Sequence, residues 1–241
     1  MRTTLLILSA LLRYPDAELQ SAAPDMATAL REDGVLAAAQ LSSLMPLITD
    51  LANGDLLDLQ EAYVGLFDRG RAHSLHLFEH VHGESRDRGQ AMVDLRDRYD
   101  AQGLEITANE LPDYLPMFLE YLSTLPPAQA LEELAQPGLI IAALAERLKE
   151  KSPAYAAPMF ILRDLAAIEA SIFADGVPDI APADNPDDLE ALDAAWEEEQ
   201  IRFDAPAAQG SEACPQAATM VARFAHPEPQ KPELNRSAAR G

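Results

Sequence analysis

At 241 residues and 48% hydrophobic content, the chain is long enough to bury a substantial core as one domain with an attached tail. Forty acidic against eighteen basic residues leave a formal charge of -22, which opposes attraction to phosphate backbones or anionic lipid and argues against a nucleic-acid partner. The single cysteine, Cys214, can form neither an internal disulfide nor a CxxC site, so the chain fits a reducing compartment.

The apolar content comes mainly from Ala and Leu, which lose little entropy in a helix, so an all-α fold is expected. The N-terminal run MRTTLLILSALLRYP superficially suggests a signal peptide. However, Leu5, Leu8 and Leu12 are spaced as on one helix face and Arg13 interrupts the run. No stretch approaches the ~18 apolar residues of a membrane span. A cytoplasmic protein without direct membrane insertion is expected.

The first helix is expected over 3–13, ending before Pro15. A new turn starts at 16–19, and the series Met26, Leu30 stops at Gly34. From Val35 the positions Leu41, Leu44, Ile48 and Leu51 step by three or four, with a kink expected at Pro46 and a stop at Asn53-Gly54. Residues 55–67 repeat the pattern through Leu56, Leu59, Tyr63 and Leu66. No helical period is clear between Gly70 and Gly83. A helix over 84–102 turns Met92, Leu95 and Tyr99 inward. Residues 109–124 place Leu111, Leu115, Phe118, Leu119 and Leu122 in helical order, with Pro112 in a tolerant first turn and Pro116 kinking the helix or delaying its start. Two more helical stretches, 128–149 and 157–173, are divided by Ser152-Pro153, the first interrupted at Pro137-Gly138.

The expected architecture is a single all-α helical-bundle domain of about eight helices over 1–174, with no convincing strand. Residues 175–204 hold eleven acids and one base, and Leu189, Leu192 and Trp196 there have the spacing of a short amphipathic helix. Residues 205–241 have too little apolar surface to offset ordering entropy, so a disordered tail is expected.

The most distinctive stretch is 75–95, LHLFEHVHGESRDRGQAMVDL, since His76, His80 and His82 lie in it and His73 just precedes it. His76 and His80 would share a face if helical, and Glu79 or Glu84 could add a carboxylate to a metal site. HExxH is absent and no other Cys or His group completes a shell, so no metal is assigned. Gly83-Glu84-Ser85-Arg86-Asp87 lacks the second glycine of a nucleophile elbow, and no carboxylate dyad or phosphate loop stands out. No catalytic residue, enzyme activity or cofactor is expected. A recognition surface is more economical: Phe78 and Val81 are apolar, Glu79 and Glu84 accept from a basic partner, and Arg86 and Arg88 donate to carboxylates or carbonyls. Tyr114, Phe118 and Tyr121, at helical spacing, supply either an apolar wall beside it or ordinary core packing.

The blocks LFEHVHGESRDRGQAMVDL at 77–95 and ELPDYLPMFLEYLS at 110–123 together resemble a family of assembly chaperones. These chaperones serve the membrane-bound respiratory nitrate reductase, within the wider TorD-like group of redox-enzyme maturation proteins. LLRYP at 11–15 and WEEEQIRF at 196–203 look like further parts of the same pattern. The resemblance implies an all-helical, cytosolic, non-enzymatic chaperone. It would bind the N-terminal peptide of the catalytic α subunit in the apo α–β complex, hold it open for molybdenum cofactor insertion, and delay membrane docking. Molybdenum cofactor biosynthesis proteins are further expected partners. On this reading a client helix packs on Tyr114, Leu115, Phe118 and Tyr121, while Glu79, Glu84 and Glu120 meet its basic groups. Arg86 and Arg88 orient it, and Phe78, His80 and His82 complete the edge. The rival expectation is a metal-dependent enzyme or regulator built on His76, His80 and a nearby acid.

Overall fold

A computed structural model describes residues 1–80, 86–106 and 110–168, leaving aside the side chains of Arg86 and Asp87. The expected acidic segment 175–204 and tail 205–241 lie outside the described residues, as does the last part of the helix expected over 157–173.

The architecture is all-α. Among the described residues there are nine α-helices: α1 (Arg2–Leu11), α2 (Ala17–Asp33), α3 (Ala38–Asn53), α4 (Leu56–Phe67), α5 (Arg86–Ala101), α6 (Leu115–Thr124), α7 (Pro127–Ala135), α8 (Gly138–Lys151) and α9 (Pro153–Leu165). Two short 3-10 turns, Arg71–His73 and Leu77–His80, occupy the stretch where no α-period was legible. No helix of the described residues is long and apolar enough to cross a membrane.

Local chemistry sets the helix ends. The Asp16 carboxylate accepts from Leu19 N–H at 2.7 Å and caps α2, while Gly34 closes that helix with φ 67°, a left-handed conformation that glycine adopts without a Cβ penalty. Asp55 caps α4 through the Leu57 and Asp58 amides, and Ser152 both ends α8 and caps α9. Pro137-Gly138 separates α7 from α8, as expected. The helix expected over 109–124 starts only at Leu115. Pro116 then falls in the first turn, where its missing N–H has no intrahelical partner to lose.

The core lies where α8 packs on α9, α1 is enclosed by α2 and α6, and α3 lies against α2 and α9. Helix α8 buries Ile141, Ala142, Leu144, Ala145 and Leu148, its alanines permitting close approach. Helix α1 buries Leu5, Leu8 and Leu11, and its Ser9 hydroxyl donates to the Pro116 carbonyl at 2.8 Å.

The segment after α4 crosses the segment before α6 through an isolated antiparallel bridge, His76 to Tyr114. Leu115 N–H donates to Leu75 O at 2.8 Å and Leu77 N–H to Asp113 O at 3.1 Å. The Asp113 side chain, 0% exposed, accepts from Phe78 N–H at 2.9 Å. Two side chains satisfy neighbouring carbonyls: the Tyr99 hydroxyl donates to Pro112 O, and His80 Nε2 donates to Ser74 O, both at 2.7 Å. The buried backbone at this crossing is thus paired without a continuous strand.

Around it, His76 Nδ1 lies 3.4 Å from Asp113 Oδ1 and Nε2 lies 3.5 Å from Glu110 Oε2. The hydrogen bond to Asp113 raises the pKa of His76, against the opposing effect of burial, with Glu79 and Glu110 adding to the rise.

Asp113→Ala should strand the buried Phe78 amide and cost about 1–3 kcal/mol, read as a fall in urea midpoint at unchanged slope. An unchanged midpoint would remove Asp113 from its structural role. Because the folded pKa of His76 is raised, its stabilisation is fully present below about pH 6.5, the ordinary histidine value, and fades as pH rises through the folded value. The stability difference between the unsubstituted chain and His76→Gln should therefore be larger near pH 6 than near pH 8, the two sides of that range. Equal differences at both would contradict the assignment.

Candidate functional site

The crossing holds Tyr114 at the floor of a groove of about 410 Å³. The stretch just after α1 contributes Arg13 and Tyr14, the first turns of α6 contribute Pro116, Met117 and Glu120, and residues 104–106 with Glu110 close the far side. Tyr63 on α4 donates its proton to Leu12 O at 2.9 Å, so in the 3.0 Å contact between the two hydroxyls Tyr114 is the donor and Tyr63 the acceptor. Tyr14 stands edge-on to Tyr63, with ring centroids 5.6 Å apart, and is 46% exposed.

Burial pushes the hydroxyl pKa of Tyr63 far above the phenolic range and that of Tyr114 up to about 12. Both stay neutral donors near pH 7, so the floor is apolar with a few fixed dipoles. The charge sits on the rim, where Glu105, Glu110 and Glu120 outnumber Arg13, which is 3.8 Å from Glu120. A second hollow of about 580 Å³ shares Glu105, Ile106 and Glu110 and adds Met92, Val93, Arg96, Asp100 and Pro112. Val93 and Leu111 are both about half exposed. Apolar side chains between carboxylates suit a peptide that alternates apolar and basic groups.

The expected site residues that are described divide into three sets. Tyr114 and Glu120 line the groove. Glu79 and Arg88 are partly exposed outside it. Phe78, His80, Leu115, Phe118 and Tyr121 are all buried, none more than 3% exposed, and so form no open wall for a client in this conformation. The reason is rotational: α6 starts one residue after Tyr114, and its inward face carries Leu115, Phe118 and Tyr121 into the core. There Tyr121 lies against Tyr99 and donates to Glu133, which also receives Arg98 at 3.1 Å. His82 and Glu84 lie outside the described residues, as does the Arg86 side chain.

The pairing of His76 with His80 on one helix face is corrected by the fold, because a 3-10 turn rather than an α-helix separates them. With Nε2 donating to the Ser74 carbonyl, His80 has no lone pair on that nitrogen for a metal, and burial lowers its pKa. Among the described residues, no three His, Cys, Asp or Glu side chains gather as a metal site.

Arg13, Tyr14, Glu105, Ile106, Glu110 and Met117 were not among the expected site residues. LLRYP and ELPDYLP carry three of them, so the motif blocks held a usable signal. Glu105 and Ile106 lie in a stretch with neither period nor motif.

Residues 16–160 match the family described as nitrate reductase delta subunit. The nitrate reductase molybdenum cofactor assembly chaperone NarJ of Escherichia coli (strain K12) is 47% identical over 201 residues, covering 83% of this chain and 84% of that one. The probable chaperone NarW of the same organism is 44% identical over 202 residues, 82% of each chain. A probable NarJ of Bacillus subtilis (strain 168) is 32% identical over 162 residues, covering 67% of this chain and 86% of its own. With more than half its length matched by the family and relatives aligned over most of both chains, this chain belongs to the nitrate reductase delta subunit family.

Proposed function

We propose that this chain is a cytoplasmic assembly chaperone for a respiratory nitrate reductase, acting by binding rather than by catalysis. Its client is the N-terminal segment of the catalytic α subunit in the apo α–β complex. Holding that segment keeps the apoenzyme open for molybdenum cofactor insertion and delays its docking on the membrane subunit. The names of the relatives support the assembly role. The observation that carries the binding mode is the groove between α1 and α6, with its tyrosine floor and acidic rim.

In mechanism, the carboxylates draw in a basic amphipathic segment at long range, and contact with Tyr14, Ile106, Met117 and Tyr114 then selects for apolar side chains at short range. Glu105, Glu110 and Glu120 receive its ammonium or guanidinium groups, and Arg13 limits the register. Of the residues expected from sequence, Tyr114 and Glu120 keep their roles in this binding mode. Glu79, Glu84, Arg86 and Arg88 act as an outer edge. Phe78, His80, Leu115, Phe118 and Tyr121 support the groove from behind.

Titration calorimetry with a peptide of the client's first residues tests the reading. Tyr14→Ala and Glu105→Lys, both outside the core, should each weaken binding by about tenfold, equivalent to roughly 1.4 kcal/mol, while far-ultraviolet circular dichroism stays unchanged. Affinity retained in both variants would remove the groove as the client site.

A further inference from the structure

Over residues 1–168 the sequence carries 25 acids against 13 bases, yet cations cluster at the end of α8. Arg147 Nη1 donates to the Ala72 carbonyl at 3.2 Å, tying the end of α8 to the first 3-10 turn. Arg69 and Arg71 lie three residues and one residue before Ala72, and Lys151 lies one turn beyond Arg147; all three are exposed and none forms an ion pair with a described carboxylate. Arg147 and Lys151 also act electrostatically on His73, which locates all three near one another.

The chain carries a matching anion. Residues 184–199, DNPDDLEALDAAWEEE, hold eight carboxylates and no base. The end of the described chain places them within reach. Ala167, with φ 56°, turns the backbone out of α9, and Ile168 packs where a Cβ on Gly138 would stand, at the start of α8. The basic patch is at the other end of that 14-residue helix, about 21 Å away. Sixteen residue steps separate 168 from 184 and span up to roughly 50 Å.

We propose that the acidic segment 184–199 of this chain docks on the exposed cations Arg69, Arg71 and Lys151 around the Arg147 tie at the end of α8. The tether supplies an effective concentration on the order of millimolar, so individually weak charge pairs suffice. The association is electrostatic and loosens when salt at 1 M shortens the screening length to about 3 Å.

The test uses the full chain with Cys214→Ser and Ala191→Cys, spin-labelled at the new thiol. Amide signals of residues 69–73 and 147–152 should be selectively broadened. At least half of that effect should be lost in Arg71→Glu with Lys151→Glu, and again in 1 M salt without those substitutions. Trp196, the only tryptophan, lies within the segment. Its collisional quenching in the unlabelled chain should rise about twofold under the same two conditions. Should the double substitution disturb folding, the salt experiment on the unsubstituted patch decides. Broadening centred elsewhere, or insensitive to salt, would overturn the proposal. So would broadening that appears only on an isotope-labelled chain mixed with a spin-labelled one, which would assign the contact to a second copy.

Discussion

A carboxylate with no solvent exposure joins the two segments on which the groove depends. Asp113 takes the Phe78 amide on its side chain and the Leu77 amide on its carbonyl, drawing residues 75–78 against the start of α6. Such a crossing needs an acceptor richer than a backbone carbonyl, because each segment is too short and too curved to form a ladder. The flanking prolines fit the same logic. Neither can donate, and the carbonyl of each receives a side chain from another helix, Tyr99 on Pro112 and Ser9 on Pro116. The run Glu110 to Pro116 is therefore fastened to α1, α5 and the 3-10 segment, with the residues up to Tyr114 lying ahead of the regular helix. Tyr114, at its centre, is held with the extended backbone that precedes a helix.

That constraint gives the groove its division of labour. Buried tyrosine hydroxyls are uncharged near neutral pH, because taking a phenolate out of water is costly. They impose no charge of their own, and with both protons spent within the chain only the Tyr114 oxygen faces the groove, as an acceptor. The carboxylates stand higher on the rim, where water screens them at close range but their combined field still reaches an approaching cation. A segment carrying only basic residues would find little to bury on the floor. One carrying only apolar residues would gain nothing from the rim. Selectivity for alternating chemistry follows from this vertical separation of burial from charge.

Periodicity made the helices legible because their apolar positions repeat every three or four residues, and Asp16, Gly34, Asp55 and Ser152 marked their ends. It was less informative about the site. Spacing groups Tyr114, Phe118 and Tyr121 on one side but does not say whether that side meets solvent or core. It also assumes that all three belong to a helix, whereas Tyr114 precedes α6. The same assumption joined His76 to His80, whose intervening residues form a 3-10 turn. Glu105 and Ile106 reach the groove only through the tertiary fold, a relation that no local pattern encodes. The motif blocks did better, since LLRYP and ELPDYLP meet across the groove despite lying about a hundred residues apart.

The segment from Arg71 to Phe78 has a further significance, because it is anchored at both ends to different parts of the core. Arg147 holds its first turn to α8 through the Ala72 carbonyl, and Asp113 holds its second turn to α6. Just past the second anchor His80 folds back on Ser74, and between the two His76 lies tilted against Tyr114, with ring centroids 5.3 Å apart. A segment fixed by two short 3-10 turns and one isolated bridge, rather than by an α-helix or a continuous ladder, has a few discrete pairings to lose. Any rearrangement at the α8 end that breaks the Arg147 tie must be absorbed within a few residues or passed to Tyr114. The acidic groove and the basic patch are thus joined by one short stretch of backbone held at both ends.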